Sequence, residues 1–452
     1  MTAATPVRAI VLTAGKGTRM KSRRPKVLHE LCGRPMLWYT LRALRDAGVS
    51  DVIVVTSPEN DAAIADGFGV RTVIQEPQRG TGHAVQIALD GLDARDGSIL
   101  VAYGDMPLVD APTFSAVASA QRRDGKALAL ITARMPLPSN FGRVIRSGEN
   151  VERIVEARDA TPDELAVDEM NAGIYAFDER SVREVIRHLS DDNAQRELYL
   201  TDTVALLIER SLAVTAVLVD DHRRVLGVND RVELAQARTS LNARLCEEHM
   251  RAGVTIIDPA TTYLEPDLAI EPDVTLYSNT TIGGNTRIGA RAQIGPSCRL
   301  RNALIGEDAV ITESVVLDSQ VGERVSIGPF AHLRRQAAVA ADGEIGNFVE
   351  IKNSELAAGV KAHHLAYLGD ATIGRETNIG AGTITCNYDG RVKNRTSIGD
   401  NVFVGSNTSL VAPISLGDGS ATGAGTVVIR DVPEGGRVVG NPARPLPAKS
   451  SA

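Results

Sequence analysis

A chain of 452 residues is too long for one core and suggests two or three domains of roughly 100–200 residues each. Hydrophobic content of 43% and charged content of 23% are ordinary for a water-soluble globular protein, and a formal net charge of −7 argues against a general binder of nucleic acid or membrane surfaces. Cys32, Cys246, Cys298 and Cys386 stand far apart without CxxC spacing, which speaks against a zinc site or disulfide framework and favours a reducing compartment. With no 18-residue apolar stretch and no long apolar signal core, the expected location is the cytoplasm.

Up to Val228, strand-like apolar runs alternate with amphipathic helical stretches: "VRAIVLTAG", "MLWYTLRALRDAG", "DVIVVTS", "AVQIALDGLDA", "SILVAYGD". This alternation predicts parallel strands with crossover helices, buried on both faces. The first strand runs into "TAGKGTR", where Gly15 and Gly17 let the main chain approach an anion and Lys16, Arg19 and Lys26 supply charge. The pattern is neither GxxxxGK[ST] nor GxGxxG, because Met20 stands where the third glycine would be, so a dinucleotide dehydrogenase is disfavoured. A second glycine pair precedes a helix in "QEPQRGTGHAVQ", Gln75–Gln86. Asp105 follows an apolar strand, where open α/β sheets gather ligands; it is either a ligand for a hard divalent cation or a turn aspartate.

From Asp230 to Gly253 the chain reads as one connecting helix, capped by Asn229 or Asp230 and stopped at Gly253, with a stripe of Leu234, Ala237, Leu241, Leu245 and Met250. After about Thr255 the period becomes six: "IGGNTR", "IGARAQ", "IGPSCR", "IGRETN", "IGAGTI", "IGDNVF", "VGSNTS". One inward aliphatic per six residues predicts a triangular parallel β-helix with coils of about 18 residues, glycine after the aliphatic serving a tight corner. The repeat is expected to break at "KNSELAAGVKAHHLAYLGDA" and at "TCNYDGRVKNRTS", and chemistry to sit in those breaks.

The N-terminal half resembles the sugar-1-phosphate nucleotidyltransferases, through L-x-x-G-x-G-T-R-M followed by P-K; the C-terminal half resembles left-handed β-helix acyltransferases. In this order, over essentially the whole chain, they resemble the bifunctional N-acetylglucosamine-1-phosphate uridylyltransferase/glucosamine-1-phosphate acetyltransferase family. The resemblance implies a Rossmann-like α/β nucleotidyltransferase domain over 1–229, a linker helix over 230–253, and a left-handed parallel β-helix of hexapeptide repeats with a C-terminal tail over 254–452. It implies acetyl transfer from acetyl-CoA to glucosamine-1-phosphate, then uridylyl transfer from UTP to N-acetylglucosamine-1-phosphate, with Mg2+ as cofactor. The product would be a precursor of peptidoglycan and other cell-envelope glycans. A homotrimer is expected, with no nucleic-acid or membrane partner.

By the same resemblance, Leu12, Ala14, Gly15, Arg19 and Lys26 hold nucleotide and phosphates, and Gln75, Gly80 and Thr81 read uridine. Tyr103, Gly104 and Asp105 line the strand end, and Asp105 and Asn229 bind the metal. Gly142, Glu156, Asn171, Tyr199 and Thr201 form the sugar pocket. In the second half His364 is the general base; its neighbour His363 is the rival that spacing alone leaves open. Arg334, Lys352, Tyr367, Asn378 and Lys393 bind the sugar phosphate, and Ala381, Asn387, Tyr388, Ser406 and Ala424 bind acetyl-CoA. Asn441 stands where the family commonly has an arginine on coenzyme A, with Arg437 and Arg444 nearby. Two other readings remain: a β-helix-bearing nucleotidyltransferase for another sugar phosphate or nucleotide, and a non-catalytic β-helix scaffold.

Overall fold

The computed structural model describes residues 7–15, 17–123 and 125–446; Lys16 lies outside the described residues. They divide into two compact units, the first reaching Ser240 and the second starting at Leu241. The first is a sheet of nine strands: β1 (Val7–Leu12), β2 (Asp51–Thr56), β3 (Arg71–Ile74), β4 (Ser98–Tyr103), β5 (Leu128–Arg134), β6 (Arg143–Ser147), β7 (Asn150–Val155), β8 (Glu169–Asp178) and β9 (Val214–Val219). Their order is β9-β5-β8-β4-β1-β2-β3, with β6 pairing β8 and β7.

Side-chain alternation along β1 explains why both faces need cover. Ala9 and Val11 join one apolar cluster, with Leu37, Leu41 and Leu44 of one helix and Phe114 and Val117 of another. Ile10 and Leu12 join the opposite cluster, with Ala84, Val85, Val182 and Val204. β1 lies between β4 and β2, parallel to both. The direction of chain progress reverses there, which is the switch point where a crevice opens at the carboxyl ends.

The sheet is not wholly parallel, which corrects the sequence expectation. β8 is antiparallel to β4 and to β5, and β6 and β7 form an antiparallel hairpin. An antiparallel neighbour needs no crossover helix packed back on the sheet, and the chain from Met135 to Asp168 instead carries the hairpin and one short helix. "EMNAGIYAFD" is buried on both faces, so its apolar run carries no signal of direction.

The connecting helix spans Arg231–Arg251. Asp230 caps it: its Oδ1 accepts from the amides of Val232 (2.8 Å) and Glu233 (2.9 Å). Leu234, Ala237, Leu241 and Leu245 are buried as the stripe requires, but Met250 is exposed and Cys246 takes the inner position. Among the described residues, no helix is long and apolar enough to cross a membrane.

The second unit is a left-handed parallel β-helix whose three faces are stacks of 12, 10 and 9 short strands. One aliphatic per hexad points inward, among them Ile288, Ile294, Leu300, Ile305, Ile311 and Val316, all buried. Both open ends are covered. At one end Asn242 of the helix donates to Thr262 O (2.8 Å) and accepts from Leu264 N (3.0 Å); at the other, Arg444–Pro445 runs antiparallel on Arg437–Val439.

Two expectations about the coils need correction. First, the glycine after the inward aliphatic takes the left-handed backbone expected of it at Gly295 and Gly328, both at φ 109°, but not at Gly289, Gly306 or Gly322. Left-handed backbone falls two residues later, on Arg291 after Gly289, Asp308 after Gly306 and Arg324 after Gly322. The glycine is demanded by the next coil: a Cβ on Gly306 would lie 2.6 Å from Glu323 N, and one on Gly322 would lie 2.7 Å from Ala341 N. Second, only one segment interrupts the ladder. Lys361 pairs with Asn378, Tyr367 with Ile384 and Glu355 with Thr372, each 17 residues on, so "KNSELAAGVKAHHLAYLGDA" is a regular coil. Asn378 then pairs with Phe403, Ile384 with Ser409 and Ile373 with Ile398, each 25 residues on, which locates the extra chain between Cys386 and Arg395. The first segment reads as a break because its outward positions are polar, while Leu356, Ala362, Leu368 and Ile373 keep the core.

Replacing Gly306 by alanine is expected to cost about 1–3 kcal/mol through overpacking against the adjacent coil. Denaturant unfolding of the variant would show the loss.

Candidate active sites

At the carboxyl end of the sheet, the strand ends are held level. Leu12 pairs with Tyr103, Gly104 N donates to Leu12 O (3.0 Å), Thr13 N to Val55 O (2.9 Å) and Gln75 N to Thr56 O (2.8 Å). The loops leaving these strands enclose a cleft of about 540 Å³ lined by Leu12, Ala14, Gly15, Lys26, Gln75, Gly80, Thr81, Tyr103, Asp105 and Asn229. Thr13, Gln78 and Glu197, not singled out from sequence, also line it. Gln78 fastens the glycine loop, donating from Nε2 to Ala14 O at 2.6 Å. Gln75 donates to Gly80 O at 2.9 Å and meets His83 Nδ1 at 3.3 Å, so it closes its own loop. Arg19 sits exposed on the turn Thr18–Met20, outside the cleft lining.

Lys26 lies between the two expected metal ligands. Its Nζ forms a short ion pair with Asp105 Oδ2 and donates to Asn229 Oδ1 at 3.2 Å. A carboxylate and an amide oxygen converging on one cation are hard donors of the kind a divalent metal uses, so the residues fit such an ion. Glu233 fixes Asn229 by accepting its amide at 2.6 Å.

The residues expected to form the sugar pocket are tied to neighbours by hydrogen bonds. Glu156 accepts from Thr201 Oγ1 (3.0 Å), Gly142 O accepts from Asn171 N (2.8 Å), and Asn171 Nδ2 donates to Tyr175 OH (2.6 Å). A Cβ on Gly142 would come within 3.5 Å of Glu156 Oε1. Tyr199 OH is held by Gln195 Nε2 at 2.9 Å. Burial raises the pKa of Glu156, the Thr201 hydrogen bond opposes that, and the charges of Asp202 and Asp159 add to it. Tyr103 is pushed far above its ordinary range, chiefly by burial and then by the charges of Glu156 and Asp105.

In the β-helix, corner-to-corner hydrogen bonds sort the expected residues onto two edges of the prism. Along the first edge Leu365 N donates to Asn347 O, Gly382 N to His364 O, Asn407 N to Ala381 O and Gly425 N to Ser406 O. His364, Ala381, Ser406 and the residue before Gly425, Ala424, therefore form one column. Along the second edge Asn353 N donates to Arg334 O, Asp370 N to Lys352 O and Thr396 N to Asp370 O. Lys352 and Lys393 line a depression of about 460 Å³ there, with Arg335, Asn353 and Asp370. Arg334 is paired with Glu350 (2.8 Å). Asn387 bonds to Asp370 and so lies on the second edge, with Tyr388 exposed beside it. Tyr367, with Glu350 beneath it, and Asn378, above Lys361, occupy the faces on either side of the first edge.

Asp370, which sequence reasoning passed over, is the centre of the second edge. Its carboxylate takes Lys352 Nζ (3.0 Å), Asn353 Nδ2 (2.5 Å) and Asn387 Nδ2. Burial works against the charge, but these three hydrogen bonds and the Lys352 ammonium hold its pKa below the ordinary carboxylate value. Burial also works against the Lys352 charge, while the hydrogen bond and charge of Asp370 raise its pKa; the Lys352 ammonium beside the exposed Lys393 lowers that of Lys393. The available signal was position: in "LAYLGDA" an aspartate sits at a coil corner, one coil after Lys352.

The two histidines have different partners. His363 Nε2 meets Glu344 Oε2 at 2.9 Å, and Glu344 also pairs with Lys361 at 2.9 Å. His364 Nδ1 meets Asn347 Oδ1 at 2.6 Å.

A family model of the MobA-like NTP transferase domain matches residues 9–204, and one of the hexapeptide repeat of succinyl-transferase matches residues 395–430. The bifunctional protein GlmU of Trichlorobacter lovleyi is 44% identical over 430 residues, covering 94% of each chain. The chain belongs to the bifunctional GlmU family. GlmU proteins of Thermobifida fusca, 44% identical over 448 residues and covering 97% of this chain and 93% of theirs, and of Kineococcus radiotolerans, 43% identical over 437 residues and covering 96% and 89%, extend the match. Like its GlmU relatives, the protein is a bifunctional transferase, nucleotidyltransferase first and hexapeptide acyltransferase second, serving UDP-N-acetylglucosamine synthesis. Its nucleotidyl chemistry uses a divalent metal.

Asp370→Ala is expected to destabilise the β-helix by about 3 kcal/mol, because it leaves the Lys352 charge buried and unpaired. A depressed carboxyl contributes stability above its unfolded pKa of about 3.9 and loses it as pH falls through the folded value. The stability difference between wild type and variant, measured from pH 7 to pH 2, should therefore shrink as the pH falls, while the other depressed carboxylates keep an acid drop in both.

Proposed function

We propose that the cleft of the first unit carries uridylyl transfer and the two edges of the β-helix carry acetyl transfer, with the residues acting as follows. In the first reaction a phosphate oxygen of N-acetylglucosamine-1-phosphate attacks the α-phosphorus of UTP, the new P–O bond forms, and pyrophosphate leaves. Positioning and charge neutralisation account for the rate, since no protein nucleophile is required. Mg2+ held by Asp105 and Asn229 would offset phosphate charge when bound. Lys26, released from Asp105, and Arg19 take the phosphates. Leu12, Ala14, Gly15, Gln75, Gly80 and Thr81 shape the nucleotide pocket, where the carbonyl oxygen of Gln75 remains to accept from a base N–H. Gly142, Glu156, Asn171, Tyr199 and Thr201 hold the sugar.

In the second reaction the 2-amino group of glucosamine-1-phosphate attacks the thioester carbonyl of acetyl-CoA. A C–N bond forms, the C–S bond breaks, His364 accepts the amine proton, and the thiolate of coenzyme A is reprotonated as it leaves. The column of Ala381, Ser406 and Ala424 borders the acyl donor, while Arg334, Lys352, Lys393, Tyr367 and Asn378, with Asn387 and Tyr388, surround the sugar phosphate.

The observation that carries the oligomeric part of this reading is the separation of the edges. On one coil Leu365 and Asp370 lie at opposite ends of one face, roughly 16 Å apart at about 3.3 Å per residue. A base on one edge and phosphate-binding cations on the other make a compact site once the second edge of one copy meets the first edge of another, and a three-sided prism suits three-fold closure. Light scattering should give three times the 48.0 kDa chain mass. Mixed refolding of His364→Ala and Lys393→Ala chains, each inactive alone, should restore part of the acetyl transfer. A monomer, or a mixture that stays silent, contradicts the arrangement. Among the described residues the four cysteines form no disulfide, which suits a reducing, cytoplasmic setting.

His364→Ala is expected to abolish thiol release from acetyl-CoA and leave pyrophosphate release from UTP near normal; Asp105→Ala should do the reverse. Pyrophosphate-release assays on the His364→Ala variant with UTP, ATP and dTTP would also separate uridine from other nucleotides.

A further inference from the structure

We infer that Asn347 is a positioning residue for acetyl transfer: its side-chain oxygen holds the His364 imidazole in the tautomer that keeps Nε2 free to take the proton. This rests on the reading of His364 as the base. Asn347 and His364 are register partners on adjacent coils, and the bond is 2.6 Å from Nδ1 to Oδ1. An amide oxygen can only accept, so Nδ1 carries the hydrogen and the lone pair stays on Nε2. The backbone makes the contact rigid, because Leu365 N donates to Asn347 O at 3.0 Å and the coils are too close at Gly346 for a Cβ, which would lie 2.0 Å from His363 O.

The neighbouring histidine shows what a different partner does. His363 directs Nε2 at the carboxylate of Glu344, a carboxylate shared with Lys361, so its Nε2 is engaged. A neutral amide behind His364 orients the ring without adding the negative charge that would favour imidazolium. The titratable groups near it are His363, with ring centroids 6.0 Å apart, and Glu344 and Lys361 behind that ring. The coil above contributes Ala381 and Gly382, which do not titrate.

Asn347→Ala should lower kcat for acetyl transfer about 10-fold to 100-fold, part of the roughly 10²–10⁴ that a general base contributes, with KM for both substrates within about twofold. Asn347→Asp places a carboxylate on Nδ1, which favours the imidazolium, so the acid limb of the kcat/KM profile moves to higher pH. Unchanged uridylyl transfer and an unchanged melting temperature in the same preparations would show that both variants are folded. If His364→Ala abolishes acetyl transfer while both Asn347 variants keep wild-type kcat and pH profile, Asn347 is merely a coil-to-coil tie and the inference is overturned. If His364→Ala retains acetyl transfer, the base assignment fails, and the role of Asn347 with it.

Discussion

The stacking of one coil's backbone directly on the next governs the second unit. Ladder hydrogen bonds bring coils so close that a methyl group has no room at Gly289, Gly306 or Gly322. Side chains at equivalent positions are then forced into vertical columns, and a column is the only way residues 17 to 25 apart in sequence come to lie side by side. His364 reaches Asn347 below and Ala381 above for this reason, and Lys352 reaches Asp370 for the same one. The interior is filled by aliphatics, so polar columns such as His364 with Asn347 and Lys352 with Asp370 form at the outside of the coils.

The first unit solves a different problem by a related device. Parallel strands of matched length end together, so the chain segments that leave them converge on one crevice. Charge there is held in check before any ligand arrives: Lys26 neutralises Asp105, and burial favours the protonated form of Glu156. An anionic substrate therefore meets a crevice in which Asp105 is already paired and Glu156 is disfavoured as an anion.

Much of this was legible in the residues. The switch in period near Thr255, the cap at Asp230 and the glycine-rich turn after β1 each have a local cause, and local causes show in sequence. The direction of β8 was not legible, since a strand covered on both faces reads the same forwards and backwards. At Gly289, Gly306 and Gly322 steric crowding from a coil one repeat away leaves the same letter as the torsional requirement that acts at Gly295 and Gly328, so sequence alone does not separate the two. Asp370, Asn347 and Gln78 went unmarked because their importance lies in partners 17, 18 or 64 positions distant. The polar coil from Lys352 to Ala371 looked like an insertion because attention fell on its outward residues, whereas its inward ones had kept the pattern.

The true insertion, between Cys386 and Arg395, leaves the solenoid at one corner and rejoins it there, and the inward aliphatics resume in phase. Its shape comes from its own ties: Asp389 accepts from the amides of Arg391 and Val392, and Asn394 N returns to Asn387 O. Evolution can thus retune the reach of Lys393 and the tip of Tyr388 without touching the load the coils carry. A rigid spool with a loop at its rim lets the loop's tip vary while its base, through Asn387 and Asp370, stays fastened to the coils.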